Sequence, residues 1–180
     1  MLAIERDRIR NDHPVFLMPP QQDPADFEAH YNLAALLQAR GAFLPAIEHF
    51  SEAVRLRPTD SAANNALGAA LLASDRAAEA IPHLTAALKS RPDYFDAHYN
   101  LGNALASQGK FTQALVHFRE AVRLNPDDAN AEANLGSALA ETGSLPEARL
   151  HYERALKLNP NNQLARENLQ LLNSQPVPKH

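Results

Sequence analysis

The chain repeats itself every 34 residues, and this period restricts its fold more than any other feature. Pro58, Pro92, Pro126 and Pro160 keep the step, as do Leu33, Leu67, Leu101 and Leu135. So do two alanine rows, Ala46, Ala80, Ala114 and Ala148, and Ala53, Ala87, Ala121 and Ala155. A fixed period of this length marks an array of helical hairpins, each burying its apolar face against its neighbours. The expected fold is all-α: an α-solenoid of four helix-turn-helix repeats with a C-terminal capping helix.

Within one period the apolar spacing is helical twice over. In the first repeat, about 27–60, Ala29, Leu33, Leu36 and Leu37 form one stripe. Gly41 supplies the left-handed residue that ends that helix. Pro45 falls in the first turn of the second helix, where its missing N–H costs nothing. The second stripe is Ala46, Ile47, Phe50, Ala53, Val54 and Leu56, and Pro58 closes it. The second repeat, 61–94, departs most. Asp75 stands for the turn glycine and Ala66 for the asparagine seen at Asn32, Asn100 and Asn134. Pro82 lies inside the second helix, which is therefore expected to start late or to kink. The third and fourth repeats, 95–128 and 129–162, are regular. A helix over 163–173 is expected to cover the open end with Leu169, Leu171 and Leu172, while Arg166, Glu167, Asn168 and Gln170 face water.

Two segments stand outside the array, which spans 26–173. Residues 1–25 carry Pro14, Pro19, Pro20 and Pro24, which rule out a continuous helix. Their one apolar patch, Val15-Phe16-Leu17-Met18, reads either as part of a disordered leader or as an arm that docks on the repeats. Residues 174–180 form a proline-containing tail, expected to be disordered.

Composition removes several function classes. A net charge of −4 gives no general pull toward nucleic acid or anionic membrane. The chain has no cysteine, which excludes disulfides and thiolate metal sites. No apolar run approaches the roughly 20 residues of a membrane span. Charges among the first ten residues oppose a signal peptide. A cytoplasmic protein without membrane insertion is the expectation.

The repeat pattern resembles the tetratricopeptide repeat. The third repeat supplies Leu101-Gly102, Leu105, Gly109, Ala114, Phe118, Ala121 and Pro126 at that family's steps. Ala34 replaces the first glycine in repeat one, and Leu84 the aromatic in repeat two. The stretch NLGNALASQGKFTQALVHFREAVRLNP is similar to repeats in the arm of O-linked N-acetylglucosamine transferases. The resemblance implies a right-handed superhelix whose first helices line a concave, peptide-binding groove.

Opposite the core stripe, the first helices carry Glu28, Tyr31, Asn32 and Ala35; Ala62, Asn65, Ala66 and Ala69; Asp96, Tyr99, Asn100 and Asn103; and Asn130, Ala133, Asn134 and Ser137. Glu167, Asn168 and Leu171 continue the face. It has no Lys or Arg. Asparagine is a mediocre helix former, but its carboxamide both donates and accepts, so it can pair with a peptide backbone of any sequence. In the transferase arm an asparagine ladder is associated with backbone binding. The resemblance carries that role to Asn32, Asn100, Asn134 and Asn168, with a gap at Ala66. The expected groove is Tyr31, Asn32, Asn65, Tyr99, Asn100, Asn103, Asn134 and Asn168. The competing reading is that these asparagines only bond neighbouring helices. A carboxylate clamp of Lys, Arg and Asn, known in another subclass, finds no cation here.

His49, His83, His117 and His151 also keep the step. Packed helices stand about 8–10 Å apart, so the histidines form a row and no metal cluster. His30 and His98 lie two repeats apart and cannot meet. No cysteine nucleophile, Gly-rich phosphate loop or His-Glu-x-x-His motif is present. Asp93, Asp96, Asp127 and Asp128 fall at helix starts, where carboxylates cap free N–H groups. No basic, aromatic-lined face points to RNA. The leading reading is a non-enzymatic scaffold, without cofactor or metal, that binds an extended segment of a protein partner. The alternatives are the recognition arm of a larger enzyme, of glycosyltransferase or sulfotransferase type, and a self-assembling structural protein.

Overall fold

The structure, a computed structural model, describes residues 26–174. Those residues form nine α-helices and no strand. The first helices of the repeats are α1 (Phe27–Ala39), α3 (Ser61–Ala73), α5 (Phe95–Ala106) and α7 (Ala129–Glu141). The second helices are α2 (Phe43–Leu56), α4 (Ala77–Ser90), α6 (Phe111–Leu124) and α8 (Leu145–Leu158), and α9 (Gln163–Ser174) ends the array. The leader, with its apolar patch, and the tail beyond Ser174 lie outside the described residues. Ser174 itself belongs to α9, one residue past the expected end, and its hydroxyl donates to the Leu171 carbonyl at 2.8 Å.

Short polar side chains fix where the first helices begin. Asp60 and Asp128 each accept from the amide three residues on, at 2.8 Å, and Asp26 accepts from Glu28 and Ala29. Each such cap is worth on the order of 1 kcal/mol. Helix α5 is the exception: Tyr94 sits at its cap with no side-chain bond, and Asp93 and Asp127 cap nothing. The turns inside the hairpins take a left-handed residue, Gly41, Gly109 or Gly143. Asp75 holds the same conformation at φ 58° in the second repeat. Pro82 does not delay α4, which begins at Ala77 on the same step as Phe43, Phe111 and Leu145.

The core repeats with the sequence. Both alanine rows of the second helices are fully buried, and so is the row Phe50, Leu84, Phe118 and Tyr152. The glycine of each Leu-Gly pair lets the two helices of a hairpin close. A Cβ on Gly102 would come within 2.5 Å of the Phe118 ring. In the first repeat that place holds Ala34, itself fully buried.

Every first helix also touches the first helix of the next repeat, whereas the second helices touch none of their own kind. The array is therefore tighter on the first-helix side, which is its concave side. Two expected core residues are not in the core. Leu36 is 60% exposed, since no described helix packs on that side of α1, and Leu171 is 59% exposed. Ala165, Leu169 and Leu172 cover the fourth repeat instead.

Candidate functional site

The concave side carries the residues expected from periodicity, and most of them are tied across repeats. Asn134 reaches back 31 residues to Asn103 Oδ1 (2.9 Å) and 35 residues to the Tyr99 hydroxyl (3.1 Å), donating both amide hydrogens. Asn168 makes the 31-residue reach to Ser137 Oγ at 3.3 Å. Asn100 finds Ala69 at that place, which has no acceptor, and donates 35 residues back to Asn65 Oδ1 at 3.0 Å. Asn65 is buried, and its own Nδ2 donates to the Tyr94 hydroxyl at 3.4 Å. The second repeat thus fills its gap at Ala66 with an asparagine one residue earlier. Asn32 is exposed and makes no bond to a neighbouring helix.

The oxygens matter as much as the donors. Oδ1 of Asn100 and of Asn134 has no partner among the described residues, and both side chains are half-buried. A carboxamide oriented by its N–H groups presents its oxygen at low entropic cost. Tyr31 and Tyr99 stack on Phe27 and Phe95 and meet Phe50 and Phe118 edge-on. Burial pushes both phenols above their ordinary range, so each stays a neutral hydroxyl. A pocket of about 260 Å³ opens where the fourth repeat meets α9, between Ser137, Glu141, Tyr152, Asn168 and Leu172.

The face is not wholly without cations. None lies on the first-helix positions, but Arg57, from the loop after α2, pairs with Glu28 at 2.9 Å and covers the Phe27 ring. Arg91, at the same place one repeat on, lies 3.2 Å over the Tyr94 ring. These two arginines flank the N-terminal half of the concave side.

The histidine row has a structure that spacing along one helix does not reveal. His49, His117 and His151 each face the residue 19 positions earlier, across their own hairpins. His49 Nδ1 lies 2.9 Å from His30 Nδ1, and His117 Nδ1 lies 3.1 Å from His98 Nδ1. His98 Nε2 donates to the Pro92 carbonyl, so in the neutral pair its Nδ1 accepts from His117. In the fourth repeat the partner of His151 is Glu132, fully buried and 2.6 Å away. Glu132 Oε1 also meets Arg154 Nε at 2.9 Å, an ion pair without an aligned hydrogen bond. Burial first, and then the facing His98, holds His117 below the usual imidazole range; burial does the same for His83. Among the described residues no three His, Cys, Asp or Glu side chains converge as metal ligands.

Comparison with known proteins agrees with the repeat geometry. Models of the tetratricopeptide repeat match residues 95–128 and 129–162, and a further TPR repeat model matches 71–109. The chain carries tetratricopeptide repeats and folds as a tetratricopeptide solenoid. Among solved structures it is similar to YrrB, described as a TPR protein with an unusual peptide-binding site. That likeness has 22% identity, a TM-score of 0.74, and covers 82% of this chain and 76% of that one. It is also similar to MamA, at 28% identity and a TM-score of 0.72, covering 77% and 81%. MamA from Desulfovibrio magneticus RS-1, residue 41 to its end, aligns at 25% identity and a TM-score of 0.76, covering 84% of each chain. No curated protein sequence matches the chain significantly. Among the described residues no helix is long and apolar enough to cross a membrane.

Proposed function

We propose that this chain is a non-enzymatic interaction scaffold that holds an extended segment of a protein partner along its concave side. One observation carries the reading. The half-buried carboxamides of Asn100 and Asn134 are oriented by cross-repeat bonds and keep Oδ1 available, with exposed Asn32 continuing the row. Oxygens spaced by repeats suit the N–H groups of an extended backbone, which recur whatever the partner's side chains. Tyr31 and Tyr99 add hydroxyls beside them, and the pocket at Ser137, Tyr152 and Leu172 offers room for one side chain. The fold shared with YrrB, described as a TPR protein with an unusual peptide-binding site, is compatible with this mode of binding.

The test uses a peptide selected on the intact protein from a random peptide library. Each lost hydrogen bond costs on the order of 0.5–1.5 kcal/mol, so Asn32→Ala with Asn100→Ala should weaken that peptide by about 5- to 150-fold. Unchanged affinity in the double variant would move the binding site off this face.

A further inference from the structure

Each first helix after the first buries one stripe. Ala63, Leu67, Ala70 and Leu71 of α3 are 0–3% exposed, and the matching residues of α5 and α7 are at most 6% exposed. Helices α3, α5 and α7 each pack against the second helix of the preceding repeat, whereas among the described elements α1 packs against α2 and α3 alone. Its equivalent stripe is accordingly open. Ala29, Leu33 and Leu37 are only half-buried, and Leu36 is exposed. Leu36 stands where the inner first helices have Ala70, Ala104 and Ala138, and where the terminal helix α9 has Leu172, half-buried against the fourth repeat. The seam accepts leucine at that place, so exposed Leu36 offers apolar surface to a cover.

In sequence, residues 9–24 keep part of the register of a second helix. Pro24 continues the step of Pro58, Pro92, Pro126 and Pro160, and Phe16 continues that of Phe50, Leu84, Phe118 and Tyr152. Residues 9–24 correspond to 43–58, the second helix and its closing proline. Pro14, Pro19 and Pro20 remove N–H donors that a regular helix would use, so any cover they provide is not a helix of the ordinary kind. Reach is ample. Ten residues from Phe16 to Asp26 span up to about 33 Å, against about 10 Å from Ala29 to Leu36 along the helix.

We propose that residues 9–24 take the place that a preceding second helix holds on α3, α5 and α7, and lay Val15-Phe16-Leu17-Met18 over the Ala29, Leu33, Leu36 and Leu37 stripe of α1. The leader is then the N-terminal counterpart of α9, and the concave side stays clear of it. The absence of cysteine makes the test clean, since a single introduced thiol is the only one in the chain. A nitroxide on Arg40→Cys, at the end of the stripe, should broaden away the amide signals around Val15 to Met18 in the full chain. Leu36→Asp should restore those signals while α1 keeps its own, because Leu36 does not pack inside the array. Phe16→Ser should do the same from the other side. Signals that stay sharp in the Arg40→Cys protein would overturn the proposal. Broadening seen only between spin-labelled and separately isotope-labelled molecules would overturn it too, and would give the stripe to a second copy of the chain.

Discussion

Removing the Asn134 carboxamide should loosen the junction between the third and fourth repeats. Asn134→Ala deletes two cross-repeat bonds, to Asn103 at 2.9 Å and to Tyr99 at 3.1 Å. At about 0.5–1.5 kcal/mol each, they stabilise the junction by about 1–3 kcal/mol. Alanine returns up to about 0.7 kcal/mol as the better helix former. The net loss is on the order of 0.5–2.5 kcal/mol. Asn32→Ala is the control in the same protein: it breaks no bond to a neighbouring helix, so only the propensity gain of a few tenths of a kcal/mol remains. Asn100→Ala, with one bond to Asn65, should fall between them. Equilibrium urea unfolding followed by circular dichroism measures all three. Equal midpoints for Asn134→Ala and Asn32→Ala would refute the reasoning, since the cross-repeat bonds would then contribute nothing.

Three further outcomes follow from the same geometry. Asp75→Gly should stabilise the fold by about 1 kcal/mol and so raise its melting temperature, because Asp75 holds a left-handed backbone that glycine adopts freely; a melt no higher than the parent's would contradict this. A chain ending at Asn162 should melt lower and scatter more light, because Ala165, Leu169 and Leu172 then no longer cover the fourth repeat. Acidification should destabilise the fold through His117. Its folded-state pKa is lowered, so below about 6.5 the unfolded chain binds a proton that the native chain resists, and stability falls until the native pKa is passed. Thermal melts across that range should show a shallower fall for His117→Gln than for the parent.

The sequence made the hairpins legible because everything that defines them is local. Turn glycines, closing prolines and stripes at helical spacing all act within one repeat, and the structure places α1 to α8 on the expected step. Features that depend on how one helix faces another were not legible. The 19-residue reach from His98 to His117 crosses a hairpin, and nothing along either helix announces it. Repetition could have signalled it: where repeats one and three have histidine facing the row, repeat four has Glu132, with Arg154 in place of Glu52 and Glu120. The 31- and 35-residue reaches of the asparagines depend on the offset between successive repeats, which a period alone does not supply. Leu36 was misplaced for a different reason. Its stripe has the right spacing for a core, but a core also needs a neighbour, and among the described residues no helix packs on that side of α1.

If the carboxamide row on the concave side holds a partner's backbone, the asparagine side-chain amide signals will report it. The intact protein would be titrated with the library-selected peptide and followed by NMR. The signals of Asn32, Asn100 and Asn134 should shift together and saturate with one affinity. Side-chain amides on the second helices, such as that of the exposed Gln113, should stay in place. Shifts at Gln113 with the three asparagines unmoved would contradict it, and would put the partner on the opposite side of the array.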